Sequence, residues 1–318
     1  MAADFLEFEK PVVALDDALA ELQRYALISG EELAEPLQLL GKRLDALKDF
    51  LRTHMPPWQR VLMARHPLRP RPADYVKMLF SDYMELHGDR RFGDDRAIVG
   101  GFAQFDGKTV MLIYTRKGRD PKEYMDTHFG CPQPEGYRKA LRLMRLANKA
   151  DCPVITLVDT PGAYPGIESE ERHVGEAIAE NLREMFRLEV PVVAVITGEG
   201  GSGGALGLAV GNRVLMLANS YYSVITPEGC AAILWRKPEK APDAAEALHL
   251  TAEDLLKYNI IDEIIPEPPG GAHRDPATAG QFLKEALQKH LKELRRKSHS
   301  RLMDERYRRF RKLGVFGE

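Results

Sequence analysis

Seven consecutive residues, Gly198-Glu199-Gly200-Gly201-Ser202-Gly203-Gly204, concentrate the chemistry of this chain. The apolar, β-branched run Pro191–Thr197 before them reads as a buried strand, and Ala205–Val210 after them reads as a packed helix. The glycines are therefore predicted at a helix N-terminus. There the first amides lack intrahelical partners and lie at the positive end of the helix dipole. Glycine leaves such amides bare, so a ligand oxygen can approach them closely. The unit is suited to an anion or to an oxyanion that develops during a reaction.

Several chemistries share this pattern. Gly198, Gly200 and Gly203 satisfy the dinucleotide fingerprint G-x-G-x-x-G, but no Asp or Glu occurs from Ala205 to Pro227 to hold a ribose. The Gly-Lys-Ser/Thr of a P-loop is missing. Gly200-Gly201-Ser202-Gly203-Gly204 fits the G-x-S-x-G elbow of a serine hydrolase, with Glu228, Asp243, His249 and His273 available downstream as triad partners. None of these stands in a setting that singles it out. A backbone oxyanion hole without a nucleophile is the third reading. Close helix–strand packing, where glycine only removes bulk, is the fourth.

The elements around the glycines repeat one word: strand, loop, helix. Pro153–Val158 is predicted as a strand running into Asp159-Thr160-Pro161-Gly162-Ala163-Tyr164-Pro165-Gly166, a loop stiffened by two prolines. A helix over Glu170–Arg187 then leads to the glycine strand. Further strands are expected at Val214–Leu217, Tyr222–Ile225 and Ile260–Ile265, with a helix opening at Thr226–Cys230. Upstream, Ala97–Phe105 and Thr109–Tyr114 flank Asp106-Gly107 as a hairpin, followed by a helix over Glu135–Asn148. Strands joined through helices make a largely parallel sheet. Loops 159–166 and 198–204 both leave carboxyl ends of core strands, where α/β folds gather their ligands, so one site is expected to use both.

Leu33, Leu37, Leu40, Leu44, Leu47 and Leu51 form one helical stripe, and Leu15, Leu19 and Leu22 begin another, with a break at Ser29-Gly30. An antiparallel helical pair over residues 12–52 is predicted. The proline- and arginine-rich stretch 56–72 reads as a connector or arm, and a helix is expected over Ala73–Leu86.

Composition excludes several classes. The chain has 318 residues, 44% hydrophobic and 29% charged, with a net charge of −2, so bulk electrostatics do not mark a nucleic-acid binder. Cys131, Cys152 and Cys230 form no C-x-x-C pair, which excludes a zinc ribbon and argues for a reducing, cytosolic compartment. Residues 1–7 lack the features of a signal peptide, and no apolar run approaches a membrane span. From Lys284 to Lys312, twelve Lys/Arg stand against four Asp/Glu, a solvated face or a contact for an acidic partner. Lys117 and Arg119 are candidates to meet a carboxylate or a phosphate, with a solvated loop as the alternative. His66, His128 and His273 are assigned structural roles.

Longer motifs carry a resemblance. Ala97-Ile98-Val99-Gly100-Gly101, Pro134–Met144, Asp159–Gly166, Gly198–Leu206, Thr226–Cys230 and Ile265–Pro268 with Gly270-Gly271-Ala272-His273-Arg274 resemble the alpha subunits of bacterial acetyl-CoA carboxylase carboxyltransferases, from Phe5 to about Pro276. The resemblance implies an α/β fold of the crotonase-type ββα superhelix. On that reading residues 1–30 are an N-terminal helical extension, 31–293 the carboxyltransferase domain and 294–318 a basic C-terminal helical tail. It implies transfer of a carboxyl group from carboxybiotin, carried on a separate biotin carboxyl carrier protein, to acetyl-CoA, giving malonyl-CoA for fatty acid biosynthesis. ATP would be used by the biotin carboxylase subunit. Zinc would lie on a beta subunit with a four-cysteine ribbon, with no metal in this chain. An α₂β₂ assembly in the cytoplasm is implied, without membrane or nucleic acid.

Carried onto these positions, the amides of Gly203 and Gly204 form the oxyanion hole for carboxybiotin. Gly162, Ala163, Tyr164, Gly200, Gly201 and Ser202 line the substrate site, with Tyr164 set to pack on the biotin ring or to cap its loop. Tyr114-Thr115-Arg116 departs from the Gly-His-Gln frequent in relatives, and His173-Val174 from Gly-Gln; Asp120-Pro121 and Cys131 are smaller departures.

Overall fold

Along the central strands, side chains alternate between two apolar layers. Val154 and Val158 belong to one buried cluster with Met111, Ile113, Val192 and Ile196, while Ile155 and Leu157 belong to a second with Leu112, Val193 and Val195. A strand buried on both faces needs helices on both sides. The computed structural model, which describes residues 5–29 and 33–314, has that architecture.

Helices α1 (Lys10–Ser29), α2 (Ala34–Thr53), α3 (Pro57–Ala64) and α4 (Pro72–Leu79) come first. Strands β1 (Ser81–Glu85), β2 (Ile98–Phe105) and β3 (Lys108–Thr115) follow, then α5 (Pro121–Asp126), α6 (Pro134–Lys149) and β4 (Val154–Thr160). Next are α7 (Ile167–Glu171), α8 (Val174–Met185), β5 (Val192–Gly201), α9 (Ser202–Leu206), β6 (Arg213–Leu217) and β7 (Tyr221–Ser223). The chain continues through α10 (Pro227–Trp235), α11 (Ala241–Ala247), α12 (Ala252–Lys257), β8 (Glu263–Ile265), α13 (Pro276–Leu294) and α14 (His299–Arg311). The strand order is β1-β2-β3-β4-β5-β6-β8, with β7 paired to the far half of β5. From β3 onward every pairing is parallel, as expected, and the β2–β3 hairpin turns at Asp106 and Gly107, both at positive φ.

Several expectations need correction. Prolines do not keep 56–72 out of a helix, because Pro57 is the first residue of α3, where its missing N–H has no intrahelical acceptor anyway. The expected helix over 73–86 stops at Leu79, and the polar segment Ser81–Glu85 becomes an edge strand antiparallel to β2. The helix over 170–187 is broken at His173, which adopts φ 63, a left-handed conformation that glycine reaches freely. The helix read at 205–210 is the short α9, one turn earlier, and Gly198–Gly201 are the end of β5 rather than a loop.

The helical pair at 12–52 is as predicted. Lys48 pairs with Asp16 at 2.6 Å, and Gly41 lies against Leu19, so α1 and α2 run antiparallel. Gly30 of the predicted break lies outside the described residues. The segment entering α1 is tied to the core by Glu9, whose carboxylate stands 3.2 Å from His66 Nε2 and 2.8 Å from His273 Nε2. The two rings stack with centroids 3.8 Å apart, giving both histidines the structural role expected of them. This is the one histidine–carboxylate group of metal-ligand size among the described residues. The Leu68 amide donates to His66 Nδ1 at 3.1 Å, which places that ring's proton on Nε2, so this nitrogen faces Glu9 as an N–H and not as a free ligand.

The basic C-terminal segment does more than coat the surface. Arg306 of α14 is fully buried. Its guanidinium donates to the carbonyls of Met185, Leu188 and Val190 and to Asn212 Oδ1 at 2.6–2.9 Å, closing the turn that enters β5. Arg306→Met would leave the buried Leu188 and Val190 carbonyls without their donor, and we expect a loss of about 2–4 kcal/mol in urea unfolding. A variant as stable as wild type would show that α14 is not needed to close the turn.

Candidate functional site

The glycine strand ends against the proline-stiffened loop. Thr160 pairs with Gly200 across β4 and β5, and β7 flanks the other side with Tyr222 opposite Gly200. A Cβ on Gly201 would overlap the Pro161 carbonyl, and one on Gly204 would lie 2.5 Å from Ala163 N and 2.6 Å from the Gly162 carbonyl carbon. These glycines therefore set the spacing of two backbones in contact. Gly203 differs: its Cβ would meet only Ile178, at 3.7 Å. Gly162 has φ 147, and its amide donates to Thr160 Oγ1 at 3.2 Å. Among the described residues no acceptor faces the amides of Ala163, Gly203 or Gly204. Loops 159–166 and 198–204 are thus joined in one place, as the sequence suggested.

Tyr164 is anchored through its amide to the Pro132 carbonyl at 2.9 Å, and its ring tilts against His128 at 4.9 Å between centroids. The ring thus has a partner within the chain. Ser202 is exposed and takes φ 54, resembling the strained serine of an elbow. Its partners are missing. Glu228 is paired with Arg65, His249 lies 3.8 Å from Asp254, and His273 is committed to the Glu9 group. Asp243 stands 3.9 Å from Lys240 on α11. No imidazole or carboxylate bonds the Ser202 hydroxyl among the described residues. Cys131 is no nucleophile either, because burial pushes its thiol up to about 11.

Beneath the two loops lies a buried ion network that sequence reasoning left as alternatives. Lys117 Nζ bridges Asp159 Oδ1 at 2.6 Å and Glu199 Oε1 at 2.7 Å. Glu199 Oε2 accepts Arg65 Nε at 2.7 Å and the Tyr221 hydroxyl at 2.6 Å, and the Glu199 amide donates to Asp159 Oδ1 at 2.9 Å. Burial alone would raise Glu199, but Lys117 and Arg65 outweigh it and hold the carboxyl at about 2. Burial would likewise lower Lys117, yet the two carboxylates raise it. The signal was present: Asp159 and Glu199 end two adjacent apolar strands, and buried carboxylates there require a cation. Arg119, the other candidate, is exposed and pairs with Asp74. Thr115 accepts the Asp159 amide at 2.6 Å and so buttresses the same strand end.

Paired glycine backbones at the carboxyl edge of a parallel sheet, with free amides and no nucleophile, define a class. Solved structures with this fold include a Pseudomonas malonate decarboxylase hetero-tetramer in complex with coenzyme A, at TM-score 0.56 and 16% identity over 68% of this chain and 86% of that one. They also include the transcarboxylase 12S core, at TM-score 0.53 and 21% identity over 67% of this chain and 41% of the other. The fold is that of the crotonase-like carboxyltransferases. Within that class, the model of the family described as acetyl co-enzyme A carboxylase carboxyltransferase-like matches residues 5–314. The acetyl-coenzyme A carboxylase carboxyl transferase subunit alpha of Geobacter metallireducens is 55% identical over 321 residues, covering 100% of both chains. That of Thermus thermophilus is 53% identical over 313 residues, 98% of this chain and 99% of the other. This chain belongs to the family of acetyl-CoA carboxylase carboxyltransferase alpha subunits.

Proposed function

We propose that this chain is the alpha half of a carboxyltransferase that moves a carboxyl group from carboxybiotin, on a biotin carboxyl carrier protein, to acetyl-CoA, giving malonyl-CoA for fatty acid synthesis. The observation that carries the reading is the contact of Gly204 with Gly162 and Ala163 beside amides that have no acceptor. The amides of Gly203 and Gly204 hold the ureido oxygen of biotin as it gains negative charge when the N–carboxyl bond breaks. Gly162, Ala163, Tyr164, Gly200, Gly201 and Ser202 shape the surrounding pocket. Biotin, when bound, would supply the carboxyl group and its ureido nitrogen the base for the methyl proton of acetyl-CoA, so this reading asks no side-chain base of the chain. One backbone donor of this kind contributes roughly 2.7–4 kcal/mol.

ATP is spent on biotin by a separate biotin carboxylase, and the thioester is held mainly by a zinc-ribbon beta subunit in an α₂β₂ assembly. We assign residues 31–293 to the transferase domain, flanked by the helical extension and the basic tail. Ile233 and Leu234 on α10 are 73% and 64% exposed, which suits a partner surface. No helix among the described residues is long and apolar enough to cross a membrane, in keeping with work in the cytoplasm. The purified chain should make no malonyl-CoA from acetyl-CoA and carboxylated biotin until the beta subunit is added, and Ser202→Ala should leave the reconstituted rate within a few-fold of wild type. Turnover by the isolated chain would overturn the division of labour. A loss near the roughly 10⁶-fold of true catalytic serines would restore the hydrolase reading.

A further inference from the structure

Away from the glycine site, α6 carries Arg138, Arg142, Arg145 and Lys149 at intervals of four, three and four residues, which places them on one face. Facing them, the loop 87–94 brings up Arg90 and Arg91, and the cleft between has a volume of about 430 Å³. From this geometry we infer that the cleft binds a small nucleotide bearing clustered phosphates.

The walls are fixed in advance. Asp89 Oδ1 accepts the amides of Arg91, Phe92 and Gly93 at 2.8–3.0 Å, and Gly88 N donates to Asp94 at 2.9 Å. Arg142 ties the loop to α6 by donating to the Gly88 and His87 carbonyls at 3.0 and 3.2 Å. Such a loop holds its cations in place without a ligand, so little ordering cost falls on binding.

The charges are left over. Among the described residues four carboxylates meet the six cations lining the cleft: Asp89 and Glu180 in its wall, Glu135 beside Arg138 at 2.8 Å and Glu184 beside Arg145 at 3.1 Å. Asp89 already serves backbone amides and Arg138, and Glu180 takes Arg145 at 3.2 Å. Arg90 and Arg142 donate to carbonyls and, among the described residues, form no ion pair, with Asp94 and Asp89 only partly offsetting the charge of Arg142. Among the described residues neither Arg91 nor Lys149 meets a carboxylate. Arg142 is held below its ordinary value first by burial and then by the charge of Arg90, the mark of cations crowded together. Phosphate groups relieve such crowding and match the planar fork of arginine. Leu141 and Leu146 line the same cleft and offer an apolar wall to a base or ribose.

Titration calorimetry of the full-length chain with ATP, CoA and inorganic tripolyphosphate at near-physiological salt tests this, with adenosine as the uncharged control. Saturable binding of ATP and of tripolyphosphate is expected, with ATP the tighter if base or ribose is read and the two equal if only the phosphate chain is; binding of CoA alone would report the acyl-CoA site instead and would overturn the proposal. In either case Arg91→Ala/Lys149→Ala should weaken the binding roughly tenfold or more, about 1.4 kcal/mol. Both side chains are exposed, and an unchanged melting temperature shows that the fold is intact. Binding that the double variant leaves undiminished, no saturable binding, or binding of single-stranded RNA alone would overturn the proposal. These outcomes are independent of the carboxyl-transfer reading.

Discussion

A Gly204→Val chain assembled with its beta partner should transfer carboxyl groups about 10²–10³-fold more slowly than wild type, the usual loss for one oxyanion donor. The added carbon does not enter open space, because it would lie 2.5 Å from Ala163 N and 2.9 Å from Gly162 Cα. The two backbones must separate, and on the proposed function the amides of Gly203 and Gly204 can then no longer converge on one oxygen. Separation also costs stability, so the melting temperature has to be measured beside the rate. Gly203→Ala provides the contrast, since its Cβ meets only Ile178 at an ordinary 3.7 Å and its backbone is not in the left-handed region. It should fold like wild type, and its stability should change by no more than about 1 kcal/mol. A folded, assembled Gly204→Val enzyme with wild-type kcat would end the oxyanion role of this pair. A normal kcat with a large rise in KM for acetyl-CoA would instead place the thioester on this chain.

Lys117→Met should be the most destabilising single change near the site, by about 3–5 kcal/mol, because it leaves two buried carboxylates facing each other without their shared cation. Lys117→Met combined with Glu199→Gln should recover part of that loss, since the surviving Asp159 then faces a neutral amide. Acid titration gives a second readout. Glu199 falls from 4.5 to about 2 on folding, so its contribution is complete above pH 4.5 and is lost as the pH drops toward 2. The wild-type stability should therefore fall steeply across that window. Without Lys117 the folded-state carboxyl rises, and the same window should flatten. Urea unfolding at pH 2.5, 4.5 and 7 resolves both effects. Equal stabilities for wild type and Lys117→Met at pH 7 would show that the network is idle.

The sequence made the sheet readable because its strands are short, apolar and separated by helices, a pattern with few alternative foldings. The meeting of the two segments was readable for the same reason: two proline- or glycine-rich stretches followed neighbouring strands. What escaped was local and polar. Ser81–Glu85 carries no apolar period, since an edge strand is exposed along most of its length, so it read as helix. His173 looked like any helical residue, because a left-handed angle is not written in side-chain type. The glycines of 198–201 suggested a turn, yet they are strand residues, stripped of side chains where the Pro161–Gly162 backbone and the Tyr222 ring press against them. Lys117 was readable only as a candidate to meet a carboxylate, because the members of its network are separated by up to 156 positions and only the fold brings Arg65 to Glu199.

Arg306 also has a consequence for how the protein is made. The carbonyls it caps belong to the turn immediately before the glycine strand, about 120 residues earlier in the chain. Synthesis runs from the N-terminus, so a nascent chain carries the finished strands for a long interval without the residue that closes this turn. Throughout that interval the entry to β5 stays unsealed, open to chaperones and proteases alike.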